Sequence, residues 1–357
     1  MKVLVKTESV ARELKPAFGE RGIPVAFFAD CNYFPYVAVA VRSIVETASP
    51  ENAYDVLVFT DADVRTPIRE RLLDVTRGCS NVSLRLVVLE TTDLAPISGL
   101  FVGGLSAMTY GRLLLPSLLA HYRRAVYLDV DVVVREDLAS LFAVDLKGNL
   151  LGAVKDEGVV RFPFPPPWRE DILRECADFD FESYVNAGVL LMDLEGLRRE
   201  ETMTRALELA ARNRFILCDQ DALNIVFARR IFLLPCQWNQ CTKALPIDSS
   251  TGRCDVLGVH IGIIHFTEVK PWRDLRRETL AWMWWDVASR TSYYRGFLLM
   301  AERTNRFIHA KVCDLLKLWI VTRADNRLAR HKRPSFLFAA HLSKWRNKLI
   351  EKGLLPE

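Results

Sequence analysis

The stretch AVYLDVDVVV, residues 125–134, decides how the rest of the chain is read. It is apolar and β-branched throughout except for Asp129 and Asp131, and carboxylates are rarely buried without a partner. The two-residue period of a strand puts Asp129 and Asp131 on one side with Tyr127 and Val133, and Leu128, Val130 and Val132 on the other. Two anions held close together and partly desolvated repel each other and lose hydration, so a proton or a cation belongs beside them. Hard carboxylate oxygens suit Mg2+ or Mn2+, and a histidine nitrogen joining them tilts the choice toward Mn2+. A plainer reading stays open, because an Asp-x-Asp also ends strands and begins solvated turns. The chain has four such pairs, at 61/63, 129/131, 178/180 and 219/221, and only context separates them.

Outward from this stretch, short apolar runs alternate with helical patterns: PVAFFAD (24–30), DVLVFT (55–60), SLRLVVL (83–89) and AGVLLMDL (187–194). A helix is expected over residues 36–47, and another from Leu197 to about Arg212 with Leu207, Ala210 and Ala211 on its apolar face. This alternation predicts an α/β fold whose central sheet is mostly parallel and covered on both faces. Ligands bind such sheets beyond the carboxyl ends of the strands. That rule directs attention to Asp30 through Tyr33, to Asp129 and Asp131, and to His265 near the end of the run GVHIGIIHF (258–266). The segment VVRFPFPPPWRED (159–171) reads as a loop rich in proline and aromatic residues. No GxGxxG follows a strand and no P-loop signature occurs, so phosphate recognition falls to a metal and a lysine.

Half of the 357 residues are apolar and 26% are charged, the composition of a globular protein. No apolar run reaches the ~18 residues of a spanning helix, and the start lacks the apolar block of a secretory signal, so a cytoplasmic location is expected. The eight cysteines form no CxxC pair and are expected to be reduced thiols. From Arg303 onward there are 13 Lys and Arg against 4 Asp and Glu, so this tail carries +9 and the remainder −5. Five of the eight tryptophans (282, 284, 285, 319 and 345) lie beyond a soft boundary near residue 275. A helical, basic, Trp-rich region from 276 to 357 is therefore expected to attach to an anionic membrane surface, or else to pack on the core. No nucleic-acid motif accompanies the charge, and no nucleic-acid partner is expected.

Four clusters offer chemistry. In HFTEVKPW (265–272), His265 is the candidate third metal ligand, Lys270 a point charge suited to a diphosphate, and Pro271 with Trp272 a means of fixing the loop. Taken singly, these residues also read as a core histidine, a solvated charge and a packing ring. Asp30, Asn32 and Tyr33 can hydrogen-bond and stack a nucleobase, although Asp and Asn there also suit a helix N-terminus. Asn186, Ala187 and Gly188 allow a ligand close to the backbone, or form an ordinary turn. Asp219, Gln220 and Asp221 open a helical pattern, where acidic residues also serve the helix dipole.

In order and spacing, FADCNY, SAMTYGRLLLP, YLDVDVVV, YVNAGVLLMDL, CDQDALN and HFTEVKPW together resemble glycosyltransferase family 8, over residues 24 to 275. This family includes bacterial lipopolysaccharide galactosyl- and glucosyltransferases and the glycogenins. The resemblance implies a catalytic domain of the GT-A type, a UDP-sugar donor, Mn2+ and transfer with retention. It assigns Asp129, Asp131 and His265 to the metal. Phe28, Asp30, Asn32 and Tyr33 fall to uridine, and Val130 to the donor site between the two metal-binding aspartates. Arg112, Asn186, Ala187, Gly188, Asp219 and Gln220 surround the donor sugar, with Gln220 and Asp219 catalytic, and Lys270 meets the diphosphate. The expected partners are UDP-galactose or UDP-glucose and an oligosaccharide or glycolipid acceptor, with residues 159–171 and Asp156 beside the acceptor. Two rivals remain: a haloacid-dehalogenase-type phosphatase with Asp129 as nucleophile, and a non-catalytic protein binding glycans or membranes.

Overall fold

Among the described residues ten strands, numbered in chain order, form two sheets. They are β1 (Gly22–Phe28), β2 (Ala53–Thr60), β3 (Val82–Val88), β4 (Arg124–Leu128), β5 (Val132–Val134), β6 (Leu151–Lys155), β7 (Val185–Asp193), β8 (Ile231–Leu233), β9 (Gln240–Cys241) and β10 (Ile263–His265). The structure is a computed structural model that describes residues 14–61, 64–100, 106–161, 166–242, 260–267, 270–273 and 280–301. The larger sheet has the order β3-β2-β1-β4-β7-β6-β8, and the smaller β5-β10-β9. In the larger sheet β7 runs against both neighbours, β4 and β6, and the other six strands share one direction. The mostly parallel sheet expected from the sequence is present. Its central strands are buried along almost their whole length, as sheets covered on both faces require.

The reversal of β7 is what builds the site. Because β7 is antiparallel to β4, its first residues lie at the carboxyl end of β4, where Asp129 N–H donates to Gly188 C=O at 2.8 Å. Asn186, Ala187 and Gly188 thus share the edge with Asp129 although they begin a strand rather than end one.

The stretch 125–134 is not one strand. Pairing in the larger sheet stops at Leu128, and the chain passes into the smaller sheet at Val132. Asp131 C=O accepts from Phe266 N–H at 3.0 Å, so each aspartate is anchored to a different sheet. Strand alternation therefore does not aim the two carboxylates; the switch between sheets does.

Other expectations change for local reasons. Residues 159–171 are not simply a loop: helices Glu157–Arg161 and Pro166–Glu175 flank residues 162–165, which lie outside the described residues. Proline is tolerated in a first helical turn, where its missing N–H has no partner to lose, and Trp168 and Ile172, four apart, are buried. The helix expected over 197–212 is two, Leu194–Glu200 and Thr202–Arg212, broken at Glu201 with φ of 52°. Its second half buries Met203, Ala206, Leu209 and Ala210, while Leu207 is half-buried and Ala211 is exposed.

The helix Phe34–Thr47 packs against β5 and against the helix Ala281–Ala288. Trp284 of the latter is fully buried among Tyr36, Trp272 and Phe297. Trp285 donates its indole N–H to Pro271 C=O at 2.9 Å, and only Trp282 of these three faces solvent, at 60% exposure. Burying one large apolar side chain contributes about 1.5–3 kcal/mol, so Trp284 serves the core rather than a lipid surface. The chain divides into compact units between Leu299 and Met300, and this helix lies in the first. Trp319, Trp345 and the +9 tail lie outside the described residues. Among the described residues, no helix is long and apolar enough to cross a membrane.

Candidate active site

A cavity of about 520 Å³ opens at this carboxyl edge. Of the residues expected there, Phe28, Asp30, Tyr33, Arg112, Asp129, Val130, Asp131, Asn186, Gln220, His265 and Lys270 line it. Asn32 is exposed outside it, and its N–H closes a turn on Asp30 Oδ1 at 2.9 Å. Ala187, Gly188 and Asp219 lie behind the wall and support it.

Asp129, Asp131 and His265 converge so that one ligand atom from each lies within 4.8 Å of the others. His265 Nε2 is 3.3 Å from Asp131 Oδ1 and 3.7 Å from Asp129 Oδ2. Gly188 makes this approach possible. A Cβ there would sit 2.1 Å from His265 Cε1 and 2.8 Å from Asp129 Oδ2, closer than any packing allows. Two hard oxygens and one imidazole, brought together over a glycine, are a donor set that fits Mn2+ or Mg2+.

The negative charge is compensated from two sides. Lys270 Nζ ion-pairs with Asp131 and donates to Phe266 C=O at 2.6 Å. Burial pushes the Asp131 carboxyl up, but Lys270 and His265 override it and hold it well below the usual carboxylate range. Burial pushes the His265 imidazole down, and the Asp131 carboxylate more than reverses this, lifting it to about 10. On the other side Arg112 pairs with Asp129 at 3.0 Å and with Asp219 at 2.8 Å, and its guanidinium stacks over Tyr127. Tyr127 O–H donates to Asp129 Oδ1 at 2.5 Å. Burial raises the Asp219 carboxyl to about 6 against the pull of Arg112. Asp219, expected around the sugar, is buried and pairs with Arg112, which lines the cavity.

Gln220 does face the cavity. Its Oε1 accepts from Ala187 N–H at 3.0 Å, and its NH2 donates to Asp156 Oδ2 at 3.1 Å. The third residue of its cluster, Asp221, is fully buried and accepts from Trp168, Tyr184 and the Leu217 N–H, so its task is to hold the helix Asp219–Val226 in place. Sequence reading missed Asn239, whose Oδ1 faces His265 Nδ1 at 2.9 Å and whose amide nitrogen donates to Asn186 Oδ1 at 2.9 Å. It lies in CQWNQC (236–241), where no apolar period or strand end singles it out. Cys241, also on the cavity wall, carried no sequence signal either, and Thr109 stood unremarked within SAMTYGRLLLP.

The model of the family described as Glycosyl transferase family 8 matches residues 24–276. The chain is 30% identical over 191 residues to the glycosyltransferase GlyF of Streptococcus pneumoniae serotype 4, covering 51% of this chain and 43% of that one. It is 26% identical over 273 residues to GlyB of the same organism, covering 73% and 60%. The chain thus spans less than two thirds of the length of either relative. Among solved structures, the galactosyltransferase LgtC in complex with donor and acceptor sugar analogues has a TM-score of 0.62 at 24% identity, covering 77% of this chain and 100% of that one. That likeness is one of fold, the GT-A type. The family match begins in β1 and ends beyond Lys270, taking in the whole cavity wall, and on that ground the chain belongs to glycosyltransferase family 8.

Proposed function

We propose that this transferase moves a hexose, galactose or glucose, from a UDP-sugar to a saccharide acceptor, with retention at the anomeric carbon. The acceptor is an oligosaccharide or glycolipid, such as a cell-surface glycan or lipopolysaccharide precursor. The observation that carries the reading is the convergence of Asp129, Asp131 and His265 on the wall of one cavity that Tyr33, Asp30, Lys270 and Gln220 also line. Family membership displaces the phosphatase reading of Asp129.

Asp129, Asp131 and His265 hold the divalent cation, Mn2+ or Mg2+. When bound, it supplies Lewis acidity at the departing diphosphate, worth several kcal/mol. Tyr33 stacks the uracil ring and Asp30 binds its edge. Lys270, a cation on a flexible stem, exchanges Asp131 for phosphate oxygens and offsets the charge that grows there. A double displacement needs a carboxylate free to attack the anomeric carbon. Asp156 is the carboxylate that touches Gln220, and both its oxygens are engaged, Oδ2 by Gln220 and Asn186 and Oδ1 by Val159 N–H. Gln220 is a neutral amide and a poor nucleophile. Its Oε1 keeps one lone pair beyond the bond from Ala187, enough to stabilise positive charge on the sugar. Attack by the acceptor hydroxyl on the face that UDP leaves, with the leaving oxygen taking the proton, requires no further base.

We further propose that the enzyme works in the cytoplasm and attaches to the inner face of the cytoplasmic membrane through its C-terminal region, the +9 tail supplying the attraction. Basic residues near anionic lipid contribute about 1 kcal/mol each.

Incubation with UDP-galactose, UDP-glucose and Mn2+ is expected to release UDP slowly and to give an α-linked product by NMR. Asp131→Ala or EDTA should nearly abolish turnover; full activity in either case, or a β-linked product, would contradict the reading. Below pH 10 the metal-free His265 carries a proton that the ion displaces, so apparent Mn2+ affinity should rise about tenfold per pH unit up to that value and then level. Calorimetry in two buffers of different ionisation enthalpy should find about one proton released per ion at neutral pH, and uptake without release would place the ion elsewhere. Gln220→Ala should lower kcat by about tenfold or more with donor KM little changed, the mark of an interaction made in the transition state; a rise in KM alone would make Gln220 a binding group. Anionic vesicles should co-sediment the full chain and not a chain ending at residue 302, and equal binding by both would remove the tail from membrane attachment.

A further inference from the structure

We infer that Asn239 is a positioning residue for the metal, locking His265 in the tautomer that turns Nε2 to the ion and tying that ring, through Asn186 and Asp156, to the Gln220 amide. This rests on the metal reading above and goes beyond it. Donor and acceptor roles along the chain follow from groups that admit no choice. Gly188 N–H can only donate, and it meets Asn186 Oδ1 at 2.9 Å. The Asn186 amide nitrogen then faces Asp156 Oδ2 at 3.1 Å, a carboxylate oxygen that accepts. With Asn186 Oδ1 an acceptor, the Asn239 atom 2.9 Å from it is the amide nitrogen. Asn239 Oδ1 therefore faces His265 Nδ1, at 2.9 Å, and that nitrogen must carry the hydrogen. Nε2, on the side of Asp129 and Asp131, is then the nitrogen that gives up its proton and offers its lone pair when a cation enters.

At the far end Ala187 N–H fixes Gln220 Oε1, so the Gln220 NH2 joins Asn186 on the same Asp156 oxygen. His265, Asn239, Asn186 and Asp156 are all buried. Reversal of any one amide would set oxygen against oxygen or hydrogen against hydrogen where water cannot compensate. A partner on the non-ligating nitrogen of a metal-bound histidine fixes ring orientation and raises ligand basicity. Here the partner is an amide whose other end reaches Asn186 and, through Asp156, the Gln220 amide.

The test uses the full chain freed of metal and titrated with Mn2+, followed by electron paramagnetic resonance. Asn239→Ala should weaken Mn2+ binding by about 10- to 100-fold. Asn239→Asp keeps an oxygen for Nδ1–H and has no donor for Asn186, so it should recover most of the affinity yet still transfer sugar slowly. Histidine 15N NMR of the wild type saturated with Mg2+ and UDP reads the tautomer without any substitution, and Nδ1–H at His265 is expected. Asn239→Ala binding like wild type, or Asn239→Asp as weak as Asn239→Ala, would overturn the inference while leaving the metal reading intact, whereas an Nε2–H tautomer would overturn both. Failure of the wild type to take up Mn2+ would instead overturn the metal reading, and the inference with it.

Discussion

Everything in the site depends on the antiparallel pairing of β4 with β7. Parallel strands deliver their carboxyl ends to one edge, and a strand entering from that edge delivers its amino end there. The Asp129 N–H to Gly188 C=O bond closes this junction. It puts the small residues of β7 beside the carboxylates leaving β4, and the missing Cβ of Gly188 leaves the space that His265 occupies. The second sheet supplies the remaining ligand, because β10 pairs with β5 in a register that sets His265 opposite Val132, one residue past Asp131.

Such a junction gathers charge that an apolar wall cannot tolerate unpaired. Asp129, Asp131 and Asp219 are faced by Arg112, Lys270 and the protonated His265, and each cation touches at least one of the carboxylates. Removing one member of a buried pair costs about 3–5 kcal/mol because the other is left unpaired in low dielectric. The balance also suits exchange. On the proposed reading a divalent cation displaces the imidazole proton, a gain of one positive charge, and Lys270 turns to the diphosphate, so the two together offset much of the charge the donor brings in. Arg112 is not part of that exchange: buried between Asp129 and Asp219, it stays as scaffold.

How much of this the sequence discloses follows from what each signal is made of. Buried parallel strands are apolar along their length, so β1, β2, β3 and β4 are visible as runs, and a polar cluster at the end of such a run is visible as a site. Asp30, Asp129 and His265 are legible in that way. Direction is not written in a run, and β7 gives no sign of its reversal. The break at Leu128 is equally silent, since Val130 and Val132 continue the apolar pattern while the chain changes sheets. Pro166 and Pro167 read as breakers, yet they begin a helix, because their effect depends on position within the first turn. Trp284 and Trp285 resemble a membrane girdle in composition and become core only when Tyr36, Trp272 and Pro271 are brought to them across the fold. Asn239 is the extreme case: one of three amides in CQWNQC, at the end of a short turn, with its role set by partners distant in sequence.

The central claim is that Asp129, Asp131 and His265 hold one cation at the donor site. It is tested most directly by anomalous scattering from crystals grown with Mn2+ and UDP. The account predicts a single strong peak in coordination contact with both carboxylates, with His265 Nε2 and with the diphosphate. A peak bound without these side chains, or UDP seated in the cavity with no peak beside it, would contradict it.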